Sequence, residues 1–178
     1  MIVAIIQLVK FSDAVPVESL SEMYLFVCTG NTCRSPMAEG LFRKLLSEKL
    51  ECSEDELIDR GFMVASAGIA AVRGSPASSE SVELLNRRGI DIRGHKSQPL
   101  TRRLLDQADR IYTMTRSHRD SILFDWPDSA NRIALLAHDG LDIADPIGGG
   151  IDEYARCEAQ IEKHIRVILE ENLITKSS

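Results

Sequence analysis

From Met23 onward, apolar and polar positions alternate in blocks that predict a regular order of elements. The run YLFVC (24–28) is apolar and aromatic without a break, the pattern of a buried strand. Small and polar residues from Thr29 to Ser35 predict a loop. Pro36 stands in the first turn of a helix, where proline is favoured. Met37, Leu41 and Leu45, flanked by Ala38, Phe42 and Leu46, give that helix one apolar face to about residue 50.

The later blocks repeat the scheme. The acidic stretch 51–61, ending in glycine, predicts a loop with a short helical turn, and FMVASAG (62–68) a second strand. Residues 75–89 predict a helix opened by Ser75 and Pro76 and closed by Gly89. A short helix (101–108), a third strand (110–114), a helix (116–125) and a fourth strand (131–136) follow. Three consecutive glycines make DPIGGG (145–150) a loop. The final helix, about 152–172, places Cys157, Ile161, Ile165 and Ile168 on one face. Strands alternating with helices imply an α/β fold whose parallel sheet is covered on both faces. Connections in such sheets are right-handed, and ligands bind at the carboxyl ends of the strands. The 28–35 loop falls at such an end.

Residues 1–22 precede this scheme. MIVAIIQLV lacks a basic segment before it and a small-residue cleavage site after it, and is too short to span a bilayer. We read 1–22 as an N-terminal extension (an added strand, a tail, or translation from upstream of Met23) and 23–178 as one domain.

Composition narrows the function. Apolar residues at 44% and charged residues at 27% are ordinary for a globular protein. A net charge of −6 without a Lys/Arg cluster argues against nucleic acid as partner, so an anionic substrate needs a local site. Cys28, Cys33, Cys52 and Cys157 are not spaced as a disulfide framework, and the scattered His95, His118, His138 and His164 complete no zinc site. This predicts a cytoplasmic protein with reduced thiols, no metal and no membrane attachment. Cys52 and Cys157 read as structural, and His118, His138 and His164 as exposed residues without chemistry.

The candidate chemistry lies in VCTGNTCRSPMAE (27–39). A loop that opens a helix presents unpaired backbone N–H groups, and Gly30 allows the tight turn that lets them converge on one tetrahedral anion. Arg34 adds a planar guanidinium that grips two phosphate oxygens. The same positive surroundings favour a thiolate at Cys28 and stabilise charge developing in a transition state. Cys28 alone would fit a small buried hydrophobe at a strand end. The complete string between strand and helix carries the functional reading, and the missing G-K-[ST] ending disfavours a nucleotide loop.

The string C-T-G-N-T-C-R-S-P-M-A-E resembles the signature of the low molecular weight protein phosphatases, with further matches at S-A-G (66–68), H-K (95–96) and D-P (145–146). The resemblance covers roughly 23–172. It implies a four-stranded parallel sheet with helices on both sides and the phosphate loop after the first core strand. It also implies that Cys28 attacks phosphorus to give a cysteinyl-phosphate, while Arg34 and the backbone of Thr29, Gly30, Asn31, Thr32, Cys33 and Arg34 bind its oxygens. Ser35 would hydrogen-bond the Cys28 sulfur, and Asn31, Ser66 and His95 would hold the loop in shape. Taken singly, these three are a turn former, a strand-end hydroxyl and a surface histidine. Asp145 is the candidate general acid and base, singled out by the D-P match from the neighbouring acidic Asp139 and Asp142. Cys33 is either a packing residue or a trap for oxidised Cys28. No cofactor is implied; phosphorylated proteins are the partners and inorganic phosphate the product.

Substrate choice turns on Thr32 and Ile147. Phosphotyrosine needs apolar walls for its ring, and the tyrosine enzymes usually carry an aliphatic residue at the position of Thr32 and aromatics after D-P. Thr32 and the glycine-rich Asp145-Pro146-Ile147-Gly148-Gly149-Gly150 are similar to the protein-arginine-phosphatase branch, which cleaves a P–N bond. Ile147 departs from that branch, which tends to an aromatic there. Phosphoarginine is therefore favoured over phosphotyrosine. Two rivals are weaker. An arsenate reductase needs relay cysteines, and none lies between Cys52 and Cys157. A non-catalytic phosphoprotein-binding module would be expected to have lost Cys28 or Asp145.

Overall fold

In the computed structural model, residues 22–174 are described, with side chains to 171. The extension therefore lies outside the described residues, apart from Glu22, which opens the first strand. The order is β1 (Glu22–Cys28), α1 (Arg34–Lys49), β2 (Phe62–Gly68), α2 (Ser79–Arg87), α3 (Arg102–Gln107), β3 (Arg110–Thr113), α4 (Arg116–Asp125), β4 (Ile133–Leu135) and α5 (Ile151–Ile174). Single 3₁₀ turns stand at Asp55–Leu57 and Pro127–Ser129. All pairings are parallel, in the spatial order β2-β1-β3-β4, as an α/β sheet requires.

β1 is buried on both faces, which explains its unbroken apolar run. Tyr24, Phe26 and Cys28 point into a core built with Met37, Leu41 and Phe42 of α1, Leu84 and Leu85 of α2, and Ile161, Ile165 and Ile168 of α5. Leu25 and Val27 point the other way, onto Leu105 of α3 and Ile122 of α4. The Phe42 ring packs 4.5 Å from Tyr24 and 5.3 Å from Phe26, centroid to centroid, pinning α1 against the strand that feeds the loop.

Several boundaries differ from the pattern. The helix expected over 75–89 begins at Ser79, because Ser78 is the residue whose hydroxyl accepts from the Ser81 N–H; Ser75 and Pro76 lie in an extended lead-in. The strand expected over 131–136 is only Ile133–Leu135, at the edge of the sheet. α1 starts at Arg34, so Ser35 is already helical. Two histidines expected at the surface, His118 and His164, are buried, at 5% and 2% exposure. Each lies one turn before a buried isoleucine on its helix, Ile122 and Ile168, so helical spacing carries them inward.

Candidate active site

β1 ends at Cys28, paired in register with Gly68 at the end of β2. The spatial order β2-β1-β3-β4 puts β2 and β3, the next two strands in the chain, on opposite sides of β1, so a crevice opens at these carboxyl ends. Residues 29–33 cross it and lead into α1. No side chain caps α1 and its first turn holds no acidic residue, which leaves its positive end free for an anion.

Asn31 organises the loop. It is fully buried and left-handed, with φ of 55°, a conformation that asparagine tolerates better than most residues. Its Oδ1 accepts from the Gln98 N–H at 2.9 Å, which fixes the orientation of the amide. Its Nδ2 donates to Ser35 Oγ and to Ser66 Oγ, both at 2.9 Å. Ser66 passes its own proton to Glu39 Oε2 at 2.7 Å. His95 Nε2 lies 2.8 Å from the Asn31 carbonyl, which can only accept, so His95 carries its proton on Nε2.

The direction of this network reaches the sulfur. Ser35 Oγ accepts from Asn31, which leaves its hydroxyl proton for Cys28 Sγ at 3.0 Å, closer than the Ala67 carbonyl at 3.4 Å. The Asn31 N–H also points at Cys28 Sγ, at 3.3 Å. Two donors thus converge on a buried sulfur, an arrangement suited to an anion. Every residue singled out in the sequence to support the loop, Asn31, Ser35, Ser66 and His95, is brought into this one network.

Arg34 is 4% exposed. Its Nη1 donates to the Ile143 carbonyl at 3.1 Å and its Nη2 pairs with Asp145 Oδ2. The Asp145 side chain remains 42% exposed, and its Oδ1 accepts from the Ile147 N–H at 3.2 Å. Asp142 instead receives the Arg116 N–H, and Asp139 receives the Leu141 N–H, so neither shares the contact with Arg34. Cys33 Sγ lies 3.2 Å from the hydroxyl of Tyr154 on α5 and 3.6 Å from Thr32 Oγ1. Burial, and then the contact with Cys33, push the Tyr154 hydroxyl up to about 12. The Thr32 carbonyl accepts from the Ser78 N–H at 2.8 Å, tying the loop to the cap of α2. Ile147 is 69% exposed. Cys157 is buried and its thiol is pushed up to about 12, chiefly by burial, in keeping with a structural residue.

Three residues of this region were not singled out in the sequence. Glu39 and Gln98 complete the Asn31 network, and His118 hydrogen-bonds Thr29 Oγ1 at 2.9 Å. Among the described residues, no group of three or more His, Cys, Asp or Glu side chains is placed to hold a metal ion. No described helix is long and apolar enough to cross a membrane.

Comparison with known proteins agrees with this geometry. The family model of the low molecular weight phosphotyrosine protein phosphatases matches residues 24–177. A protein-arginine-phosphatase of Geobacillus stearothermophilus is 38% identical over 143 residues, 78% of this chain and 87% of the relative. A probable low molecular weight protein-tyrosine-phosphatase, EpsP, of Ralstonia nicotianae is 38% identical over 123 residues, 68% of this chain and 76% of the relative. The solved structure of the YwlE arginine phosphatase from Geobacillus stearothermophilus superposes with a TM-score of 0.75 at 33% identity, covering 87% of this chain and 95% of that one. From the loop after β1, the sheet order and these matches together, the chain belongs to the low molecular weight phosphotyrosine protein phosphatase family and is a cysteine-dependent protein phosphatase.

Proposed function

We propose that this phosphatase removes phosphate from protein phosphoarginine, with Cys28 as nucleophile and Asp145 as general acid and base. The observation that carries the mechanism is the buried Cys28 sulfur, held by the Ser35 hydroxyl at 3.0 Å and the Asn31 N–H at 3.3 Å beside an arginine at the start of α1. A phosphoryl dianion entering the loop meets the backbone N–H groups of residues 29–34 and the Arg34 guanidinium. Before substrate arrives, Asp145 occupies that guanidinium. The dianion replaces the carboxylate there; freed from the guanidinium, Asp145 takes up a proton from solvent and faces the leaving group. Cys28 Sγ then attacks phosphorus, the P–N bond breaks, and Asp145 gives its proton to the departing guanidine nitrogen. In the second step Asp145 takes a proton from water, the water oxygen attacks phosphorus, and the S–P bond breaks. The products are inorganic phosphate and the thiolate, which Ser35 stabilises as leaving group. Arg34 and the loop amides supply the positive charge, so the chemistry calls for no metal. We place the enzyme in the cytoplasm, where its free thiols stay reduced.

Two features favour phosphoarginine. Thr32 brings a hydroxyl to the loop beside Cys33, where an aliphatic residue would offer only apolar wall. The segment after Asp145 holds an exposed Ile147 and three glycines instead of aromatic rings. The arginine phosphatases among its relatives agree with this choice. The test is side-by-side kcat/KM on phosphoarginine and phosphotyrosine peptides for the wild type and Thr32→Ile. Phosphoarginine should be the better wild-type substrate, and the variant should move the ratio toward phosphotyrosine by roughly tenfold or more. A wild-type preference for phosphotyrosine, or a ratio unmoved by the substitution, rejects the assignment. Cys28→Ser should bind phosphate without turning over; retained turnover rejects the mechanism itself.

A further inference from the structure

His118 is a buried titratable group for which the mechanism above has no use. It is the third residue of α4, whose N-cap Thr115 accepts the His118 backbone N–H at 3.2 Å. α4 follows β3 directly, so its first turn stands beside the crevice where the sheet order places the site. His118 Nε2 lies 2.9 Å from Oγ1 of Thr29, the residue after the nucleophile, although 89 positions separate the two in the chain. His118 is 5% exposed, and its Nδ1 is buried without a hydrogen-bond partner among the described residues.

These facts select one form of the imidazole. Protonation would put a buried N–H at Nδ1 with nothing to receive it. Burial, and then the Arg34 guanidinium, push this histidine down to about 4; Asp145 and Asp142 oppose them and are outweighed. The other facing dipole is the amino end of α4 itself, which also disfavours a cation. Of the two neutral tautomers, Nδ1–H again leaves an orphaned donor at a positive helix end. Nε2–H leaves only a bare lone pair there, the cheaper defect. Nε2 then donates, Thr29 Oγ1 accepts, and the Thr29 hydroxyl proton is left over. Thr29 is exposed at the rim of the loop.

We infer that His118 is a positioning residue for the phosphatase reaction: as the neutral Nε2–H tautomer it holds Thr29 Oγ1 and turns the Thr29 hydroxyl proton toward the incoming phosphoryl group. This rests on the 28–34 loop being the phosphate cradle. Holding the first residue of the loop keeps its amide aimed at the anion, and orienting the hydroxyl adds one donor to those of the backbone.

Two measurements test it. The ¹⁵N shifts of the His118 ring in the phosphate-free wild type should report a protonated Nε2 and a bare Nδ1 from pH 8 down to pH 5. A protonated Nδ1 in that range overturns the inference without touching the cradle. Inhibition by inorganic phosphate then supplies the functional arm. Thr29→Val and His118→Phe should each raise the inhibition constant by roughly 3- to 10-fold, the worth of one hydrogen bond. The double variant should be no worse than either single one, because His118 acts through Thr29. His118→Gln, whose amide nitrogen can reach the position of Nε2, should restore most of the loss. Additive losses, or a glutamine variant as impaired as phenylalanine, overturn the inference. A wild type that phosphate does not inhibit overturns the cradle, and this inference with it.

Discussion

Gly68→Ala should disable the phosphate loop although Gly68 lies outside it. A Cβ built on Gly68 would stand 2.4 Å from the Thr29 carbonyl oxygen, 2.9 Å from the Asn31 nitrogen and 2.9 Å from Ala71 Cβ. The closest of these overlaps ordinary van der Waals contact by about 1 Å. Two of the three opposing atoms are backbone and cannot swing aside as a side chain would. Gly68 cannot retreat either: its N–H donates to the Gln98 carbonyl at 3.0 Å and its C=O accepts the Leu100 N–H at 2.8 Å. The strain must move Thr29 and Asn31, which flank Gly30 and carry the contacts to Cys28 and His118. Overpacking of this kind costs about 1–3 kcal/mol. At roughly 2–4 °C per kcal/mol for a domain of this size, Tm should fall by about 2–12 °C. A loop displaced by about 1 Å should lower kcat/KM by roughly 100-fold. Gly94→Ala is the control, since a Cβ there meets nothing within 4 Å. Thermal unfolding and steady-state kinetics on both variants decide the matter. If Gly68→Ala retains kcat/KM within a factor of two of Gly94→Ala, the close approach does not hold the loop.

Asp145→Asn should lower kcat by roughly 100- to 10,000-fold, the usual reach of general acid–base catalysis. The loss should shrink when the leaving group needs no proton; equal losses across leaving groups would remove Asp145 from that role. His118 gives the stability a pH dependence. Its pKa is held at about 4 in the folded protein against about 6.5 when unfolded, so in that window only the unfolded chain takes up the proton. Stability should be complete above about pH 6.5 and fall toward pH 4, by about 2 kcal/mol at pH 5. Urea unfolding at pH 7.5 and pH 5 should show His118→Gln losing about 2 kcal/mol less than the wild type; equal losses would contradict the burial of a neutral imidazole. Tyr154→Phe removes the hydroxyl that lies 3.2 Å from Cys33 Sγ. Treated with hydrogen peroxide, this variant should form a Cys28–Cys33 disulfide faster than the wild type by mass spectrometry, with water as the other product. An unchanged rate would mean that Tyr154 does not restrain Cys33.

What the sequence determined by itself is what is local. The strand 24–28, the helix after it and the string from Cys28 to Ser35 are contiguous. The proposed nucleophile Cys28, the six backbone amides of 29–34 and an arginine at a helix start need no distant partner to be recognised. The unbroken apolar run of β1, buried on both faces, and the isoleucine face of α5 are likewise written in the order of apolar residues. The D-P pair and the S-A-G and H-K matches located Asp145, Ser66 and His95, but not what they touch. Only the tertiary structure decided that Asp145 meets Arg34 across 111 positions and that Asn31 is fixed by Gln98 across 67. Gly68 shows the same limit: in the chain it closes the S-A-G match at a strand end, and only its pairing opposite Cys28 sets it against the loop. His118 marks it most clearly. Its helix RSHRDSILFD is largely polar, so its composition reads as a solvated surface. The spacing of His118 to Ile122 held a signal for the buried face. Which element that face meets is set by strand order, and strand order depends on long-range packing that no local window contains.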